Sequence, residues 1–145
     1  MRVLITGSRD WDDYLAVSHA VHDATGGDIQ DLTIVHGHCP TGADYFADML
    51  AWRLGVQPER HPADWGGPCR ATCLPDHRRY RNGKTYCPKA GHNRNQEMVD
   101  LGADVVLAFQ CNGSRGTQDC IDRALAAGLT VILYRSGEKP MKPPG

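Results

Sequence analysis

Two hydrophobic patterns alternate along the chain. Short apolar runs that end in glycine, "RVLITG" (2–7) and "LTIVHG" (32–37), suit buried strands feeding tight turns. Between and after them, apolar residues recur at helical spacing. Tyr14, Val17, Val21 and Ala24 form one such face, stopped by "TGGD". Ala43, Phe46, Ala47, Leu50, Ala51 and Leu54 form a second, closed by Gly55. "VQPERHP" (56–62) is a third strand, polar enough for a sheet edge. A short helix follows in "NRNQEMVDLG" from Asn93, then a strand in "ADVVLAF", a helix in "GTQDCIDRALAAG" and a last strand in "TVILY".

Strands alternating with helices indicate an α/β domain. The expected fold is a Rossmann-like parallel sheet of about five strands with helices on both faces, occupying residues 1–135. Residues 66–92 do not fit the alternation and read as an insertion after the third strand. Residues 136–145, rich in proline and lysine, read as a flexible tail.

Composition narrows the class. At 145 residues the chain suits one domain with a real core, and 41% apolar with 23% charged residues is ordinary soluble usage. No run approaches a membrane span, and "MRVLITGSRD" is a poor signal peptide, so a cytoplasmic location is expected. In a reducing compartment the six cysteines read as thiols or metal ligands before disulfides. Charge is unevenly spread. From Cys69 to Arg94 seven basic residues face one acid, Asp76, a net +6 that leaves −7 for the rest of a chain totalling −1. That concentration suggests a phosphate-bearing partner, a solvated loop being the plainer alternative.

In parallel α/β sheets ligands bind beyond the carboxyl ends of the strands. Those ends carry "TGSRD" (6–10), "HGHCPTGAD" (36–44), "PADW" (62–65) and "QCNGSRGT" (110–117), three of them bearing glycine. Glycine allows close backbone approach, so Gly7, Gly37, Gly42, Gly113 and Gly116 can present N–H groups to a phosphate. Ser8, Thr41, Ser114 and Thr117 add hydroxyl donors, and Arg9 and Arg115 add charge. Asp64 before Trp65 is a candidate for ribose, with a turn acid as the plain reading. His36 and His38 read as packed neutral rings rather than metal ligands, and Cys111 and Cys120 as small buried hydrophobes.

Taken in order, "GSRD", "HGHCPTGAD", "PADW", "AGHNRNQEM" and "NGSRGTQDC" resemble the YspA/YpsA-related branch of the SLOG superfamily, which groups SMF/DprA proteins with the LOG phosphoribohydrolases. The similarity runs over roughly residues 1–135 and fails over the insertion. It implies a Rossmann-like fold and a nucleotide or ADP-ribose-like ligand. LOG enzymes carry an "RKxxM"-type motif and a "PGGxGTxxE" motif. Arg94 to Met98, with Asn95 beside the arginine, resembles the first, and Gly113 to Thr117 the phosphate-binding part of the second. Asn112 stands in place of the proline, Ser114 in place of a glycine, and Cys120 in place of the glutamate. N-glycosidic cleavage needs a carboxylate to stabilise an oxocarbenium-like state and activate water. If the chain is an enzyme, Arg94 and the neighbouring Asp119 are its catalytic candidates, with Asp10, Asp44 and Asp64 as alternative carboxylates; Asp44 is also a candidate ligand contact. The lost glutamate makes binding the better expectation: a sensor or sequestering protein, with a LOG-like N-glycosidase as the enzymatic alternative.

The insertion has its own chemistry. Cys69, Cys73, His77 and Cys87 offer thiolate and imidazole donors suited to tetrahedral Zn²⁺, with His92 as a spare. A structural zinc would supply folding energy to a stretch lacking apolar periodicity. The expected partners are a small-molecule nucleotide or nucleotide derivative ahead of single-stranded nucleic acid, no membrane, and further copies of the chain in a homo-oligomer. Tyr80 and Tyr86 are the only aromatic residues between Cys69 and Arg94 for base stacking.

Overall fold

In the computed structural model, which describes residues 1–71, 73–74 and 76–136, five strands form one sheet. They are β1 (Arg2–Gly7), β2 (Thr33–His36), β3 (Pro58–Arg60), β6 (Val105–Gln110) and β7 (Val131–Arg135), in the order β3-β2-β1-β6-β7, all parallel. Helices α1 (Tyr14–Thr25) and α2 (Ala43–Leu54) cover one face, while α3 (Ala90–Asp100) and α4 (Arg115–Ala126) cover the other. Strand residues alternate between the faces. Val3, Ile5, Leu107 and Phe109 pack under α1 and α2, whereas Leu4, Val106 and Ala108 pack under α3 and α4. Burial on both sides is why β1 and β6 read as unbroken apolar runs. The three-residue β3 lies at an edge, as its polarity suggests, tied back by paired hydrogen bonds from the Arg2 guanidinium to Glu59 (3.0 and 2.9 Å). Among the described residues no helix is long and apolar enough to cross a membrane.

The chain runs outward from β1 to β3, then returns to place β6 on the other side of β1. The strand order therefore reverses between β1 and β6, which are paired up to Gly7 and Phe109. A crevice opens at such a reversal.

Two details differ from the sequence reading. Helix α3 starts at Ala90 rather than near Asn93, because Pro88 precedes its cap and the Asn93 N–H already bonds the Lys89 carbonyl (2.9 Å). The insertion also contains regular structure: β4 (Arg79–Arg81) and β5 (Lys84–Tyr86) form an antiparallel hairpin. Its two-residue turn puts Asn82 and Gly83 at φ 51° and 76°, the positive-φ pair of a tight hairpin. Asn-Gly is the strongest short hairpin signal, so the sequence carried the clue. Of the expected tail 136–145, residues 137–145 lie outside the described residues, and Ser136 is in a turn.

Candidate functional site

A cavity of about 520 Å³ occupies the crevice beyond β1 and β6. Its wall takes Thr6, Gly7, Arg9 and Asp10 from the end of β1, and Gly37, Cys39 and Asp44 from the β2–α2 region. Trp65 and Pro88 come from the edges of the insertion, Gly91, His92, Arg94, Asn95 and Met98 from α3, and Ser114, Gly116 and Thr117 from the start of α4.

Three helices begin here. Asp44, Gly91 and Gly116 each lie in the first turn of α2, α3 or α4 and also in the cavity wall. None of these three helices has a side-chain hydrogen bond at its N-cap. Helix α1, which starts elsewhere, is capped by the Asp13 carboxylate accepting from the Ala16 N–H (3.0 Å). Uncapped N-termini leave backbone donors and partial positive charge facing the cavity.

Close backbone packing draws these ends together. A Cβ on Gly7 would meet Ala43 Cβ and the Phe109 carbonyl oxygen, and one on Gly42 would strike the Ser8 carbonyl. Gly42 also sits at φ 76°, so glycine there serves both conformation and contact.

Arg94 is held from three directions. Its Nη1 donates to the Gly37 carbonyl (2.6 Å) and the His61 carbonyl (3.2 Å), and its Nε donates to Asn95 Oδ1 (3.0 Å). Nη2 has no hydrogen-bond partner among the described residues, so the guanidinium keeps a directed donor on a fixed frame. Asn95, buried, links α3 to α4 by donating to the Gly116 carbonyl (3.2 Å) and Asp119 Oδ2 (3.1 Å).

Asp44 is the buried acid of the wall, 7% exposed, and accepts the Cys39 N–H (3.2 Å). Burial pushes its carboxyl up to about 6, against the opposing pull of the Cys39 N–H and the Arg94 charge. Asp10, more open, is held below the usual carboxylate range by hydrogen bonds from Asn112 and Cys111.

Several expected ligand contacts lie elsewhere. Ser8 is buried, and its hydroxyl joins the strand ends, donating to the Cys111 carbonyl (3.2 Å) and accepting the Cys111 N–H (2.9 Å). Gly42 stands behind the wall against Ser8. Gly113 and Arg115 face a separate cavity of about 690 Å³ with Asp12 and Arg135, and Asp64 faces one of about 390 Å³ under the insertion. Asp119 is absent from the wall: it accepts from Asn95 and from Arg123 Nε (2.9 Å). Burial raises its carboxyl, but the Arg123 and Asn95 hydrogen bonds and the nearby His92 outweigh this and hold it low. Cys120, fully buried, has its thiol pushed up by burial to about 11. Cys111 is half-buried against the same core as Phe109.

Trp65, Pro88 and His92 are wall residues that strand-end reasoning did not single out as contacts. The tryptophan ring lies over Gly91, where an added Cβ would be 3.2 Å from it, so the α3 start and the insertion edge fit face to face. The "PADW" strand end and the "AGH" start of α3 were the available signals. His36 is a packed ring, as expected: its Nε2 lies 2.8 Å from Asp48 Oδ1, its Nδ1 accepts the His38 N–H, and burial lowers its basicity.

The second centre lies in the insertion. The donor atoms of Cys69, Cys73, His77 and Cys87 all lie within 4.8 Å of one another and can hold a metal ion. None of the six cysteines is in a disulfide; Cys73 and Cys87 Sγ atoms are 3.9 Å apart, about twice an S–S bond. His92 stands apart, in the cavity wall, 3.8 Å from Asp119. Arg78 Nη1 lies 3.6 Å from Cys69 Sγ and donates to the Gly67 carbonyl (2.7 Å), bracing the cluster.

A doubly covered parallel sheet with helix N-termini turned on a crevice defines a Rossmann-like domain, its cavity at the sheet edge where such folds bind ligands. The chain belongs to the YspA, cpYpsA-related SLOG family, whose model matches residues 1–66 and so ends where the insertion begins. A protein of Mycobacterium phage D29, described as "Gene 61 protein", is 42% identical over 144 residues, which cover 96% of this chain and 98% of that protein.

Proposed function

We propose that the protein binds a nucleotide or nucleotide derivative, ADP-ribose-like or a nucleoside monophosphate, in this cavity and acts as a sensor or sequestering protein. The observation that carries this reading is the convergence of three uncapped helix N-termini beside Arg94 on one cavity. Backbone donors and the guanidinium suit a phosphate, and the buried Asp44 carboxylate suits a ribose hydroxyl. Calorimetry with adenine nucleotides and ADP-ribose derivatives is the test. A binder weakened by Arg94→Ala and by Gly116→Val supports the reading, and a tight binder indifferent to both places the site elsewhere.

One observation favours a second reading, a LOG-like N-glycosidic hydrolase. The Asp44 carboxyl, at about 6, lies in the range where a side chain can accept and return a proton near neutrality. It would take the role that Cys120 cannot fill.

For the insertion we propose structural zinc. A tetrahedron with Zn–S about 2.3 Å and Zn–N about 2.0 Å has S–S edges near 3.8 Å and S–N edges near 3.5 Å. The Cys73–Cys87 separation of 3.9 Å and the Cys87–His77 separation of 3.4 Å match those edges, and Cys69–His77 is tighter at 2.8 Å. A reducing cytoplasm, in which thiols persist as ligands, suits this centre.

A further inference from the structure

The basic hairpin has a ligand-like geometry of its own. Arg79 pairs with Tyr86 across the two strands, and Arg81 with Lys84. Directly opposed residues, and residues two apart on one strand, project from the same face. Arg79, Arg81, Lys84 and Tyr86 therefore share a face, and Tyr80 and Thr85 take the other. That first face lines a cavity of about 740 Å³ whose wall also includes Arg9, Trp65 and Pro88. The same three residues belong to the wall of the nucleotide cavity, so the two spaces share one boundary.

Among the described residues, four cations and no acid line this trough. None of the four is in an ion pair among the described residues. Arg78, by contrast, is spent on the fold, bonded to Gly67, Thr85 and Cys69. Like charges directly opposed on a hairpin, as Arg81 and Lys84 are, destabilise it unless an anion lies between them. The cysteine cluster holds this unfavourable face in place: His77 lies two residues before β4, and Cys87 directly follows β5. Among the described residues lining the trough, aromatic surface amounts to one platform; Tyr80, also exposed, lies on the hairpin's other face. Trp65 is 40% exposed, and Tyr86 meets it edge-on with ring centroids 6.3 Å apart. One platform takes one base; a long single strand needs a series of them.

We propose that the trough receives the second nucleoside unit of a two-unit ligand whose first unit occupies the cavity beyond β1 and β6. The base rests on Trp65, and the phosphate linking or ending the units meets Arg9, Arg79, Arg81 and Lys84. This rests on the nucleotide reading of the main cavity and narrows it to linear dinucleotides, joined by phosphodiester or by pyrophosphate.

The test is calorimetry on the full, metal-loaded chain with three kinds of probe. These are the nucleoside monophosphates, their 5′-phosphorylated phosphodiester dinucleotides and pyrophosphate-linked dinucleosides, and a 20-nucleotide single strand. At least one dinucleotide binds about tenfold or more tighter than its mononucleotide, as charge-assisted hydrogen bonds to the added phosphate predict. The exposed triple variant Arg79→Ala, Arg81→Ala, Lys84→Ala removes that difference and leaves the mononucleotide affinity unchanged. The preferred linkage tells the two dinucleotide sources apart. Equal affinities for one and two units, or a triple variant that weakens both alike, overturn the trough assignment alone. Tighter binding of the 20-nucleotide strand than of any dinucleotide also overturns it, in favour of a nucleic-acid track. No binding by any probe overturns the nucleotide reading of the main cavity, and this proposal with it.

Discussion

Gly37, at the end of β2, and Arg94, on α3, are in direct contact: the guanidinium donates to the Gly37 carbonyl and fills the space a side chain there would need. The contact joins α3 to the β2–α2 part of the cavity wall. Glycine at 37 is thus a requirement of the arginine's position rather than of a turn.

Gly37→Ala is expected to push the guanidinium away and weaken nucleotide binding about tenfold or more, the scale of one lost charge-assisted hydrogen bond. Arg94→Ala gives a similar loss of affinity and also leaves the Gly37 and His61 carbonyls without this donor, so it lowers the melting temperature further. Arg94→Lys keeps the charge without the planar fork and recovers only part of the affinity. Titration and thermal melts of the three variants separate these effects. Unchanged binding by all three removes Arg94 from the site.

Elemental analysis is expected to find about one metal ion per chain, and zinc if the donor set decides the identity. Cys87→Ser, at the most buried ligand, releases the ion and opens residues 66–89 to proteolysis, leaving the sheet folded because neither core cluster on its two faces includes any of the four ligands. A chelator reproduces both effects in the unaltered protein. Metal-free protein with a protease-resistant insertion contradicts the assignment.

Which parts of this were legible in the sequence follows from the physics of each. Strands β1 and β6, buried on both faces, announce themselves as apolar runs, and α1 and α2 by spacing alone. The cysteine and histidine spacing was readable because few other side chains offer soft ligands. The hairpin was missed because its strands, "RYR" and "KTY", expose rather than alternate apolar residues, leaving Asn82-Gly83 as the sole cue. Residues at strand ends and helix starts were the least readable. Ser8 and Thr117 look alike in a glycine-rich strand end, yet Ser8 is spent on Cys111 and Thr117 lies in the cavity wall. Only the packing of three segments decides which way each points.

Asp44 makes stability depend on pH in a predictable direction. Its folded-state carboxyl stands at about 6, above the 3.8 of an ordinary aspartate, so the folded protein holds the proton more tightly than the unfolded chain. The resulting stabilisation is complete below about pH 4 and is lost as pH rises through about 6. A shift of this size corresponds to about 3 kcal/mol. Asp44→Asn, which carries no charge to bury, should flatten this slope and be the more stable protein at pH 8, with the two melting curves converging below about pH 4. A slope that survives in Asp44→Asn assigns the effect to another group.

The proposed sensor and its hydrolase alternative make different predictions for two aspartates. Asp119, nearest in sequence to the lost glutamate, is committed to Asn95 and Arg123 and stands outside the cavity wall. Asp119→Asn should therefore lower stability and loosen the link between α3 and α4, with little direct effect on chemistry. Asp44 is in the wall with its carboxyl near neutrality. If nucleoside monophosphates lose their base in this protein, Asp44→Asn should slow release by ~10²–10⁴, the usual worth of a general acid–base group, and the pH–rate profile should break near 6. A sensor gives a different result. The unaltered protein releases no base over hours, the nucleotide is recovered intact from the complex, and Asp44→Asn changes affinity alone. The binding role is the expected outcome, because the position that bears glutamate in the hydrolases is here a thiol sealed in the core beneath α4. Turnover lost in Asp119→Asn but kept in Asp44→Asn would reverse the assignment of both residues.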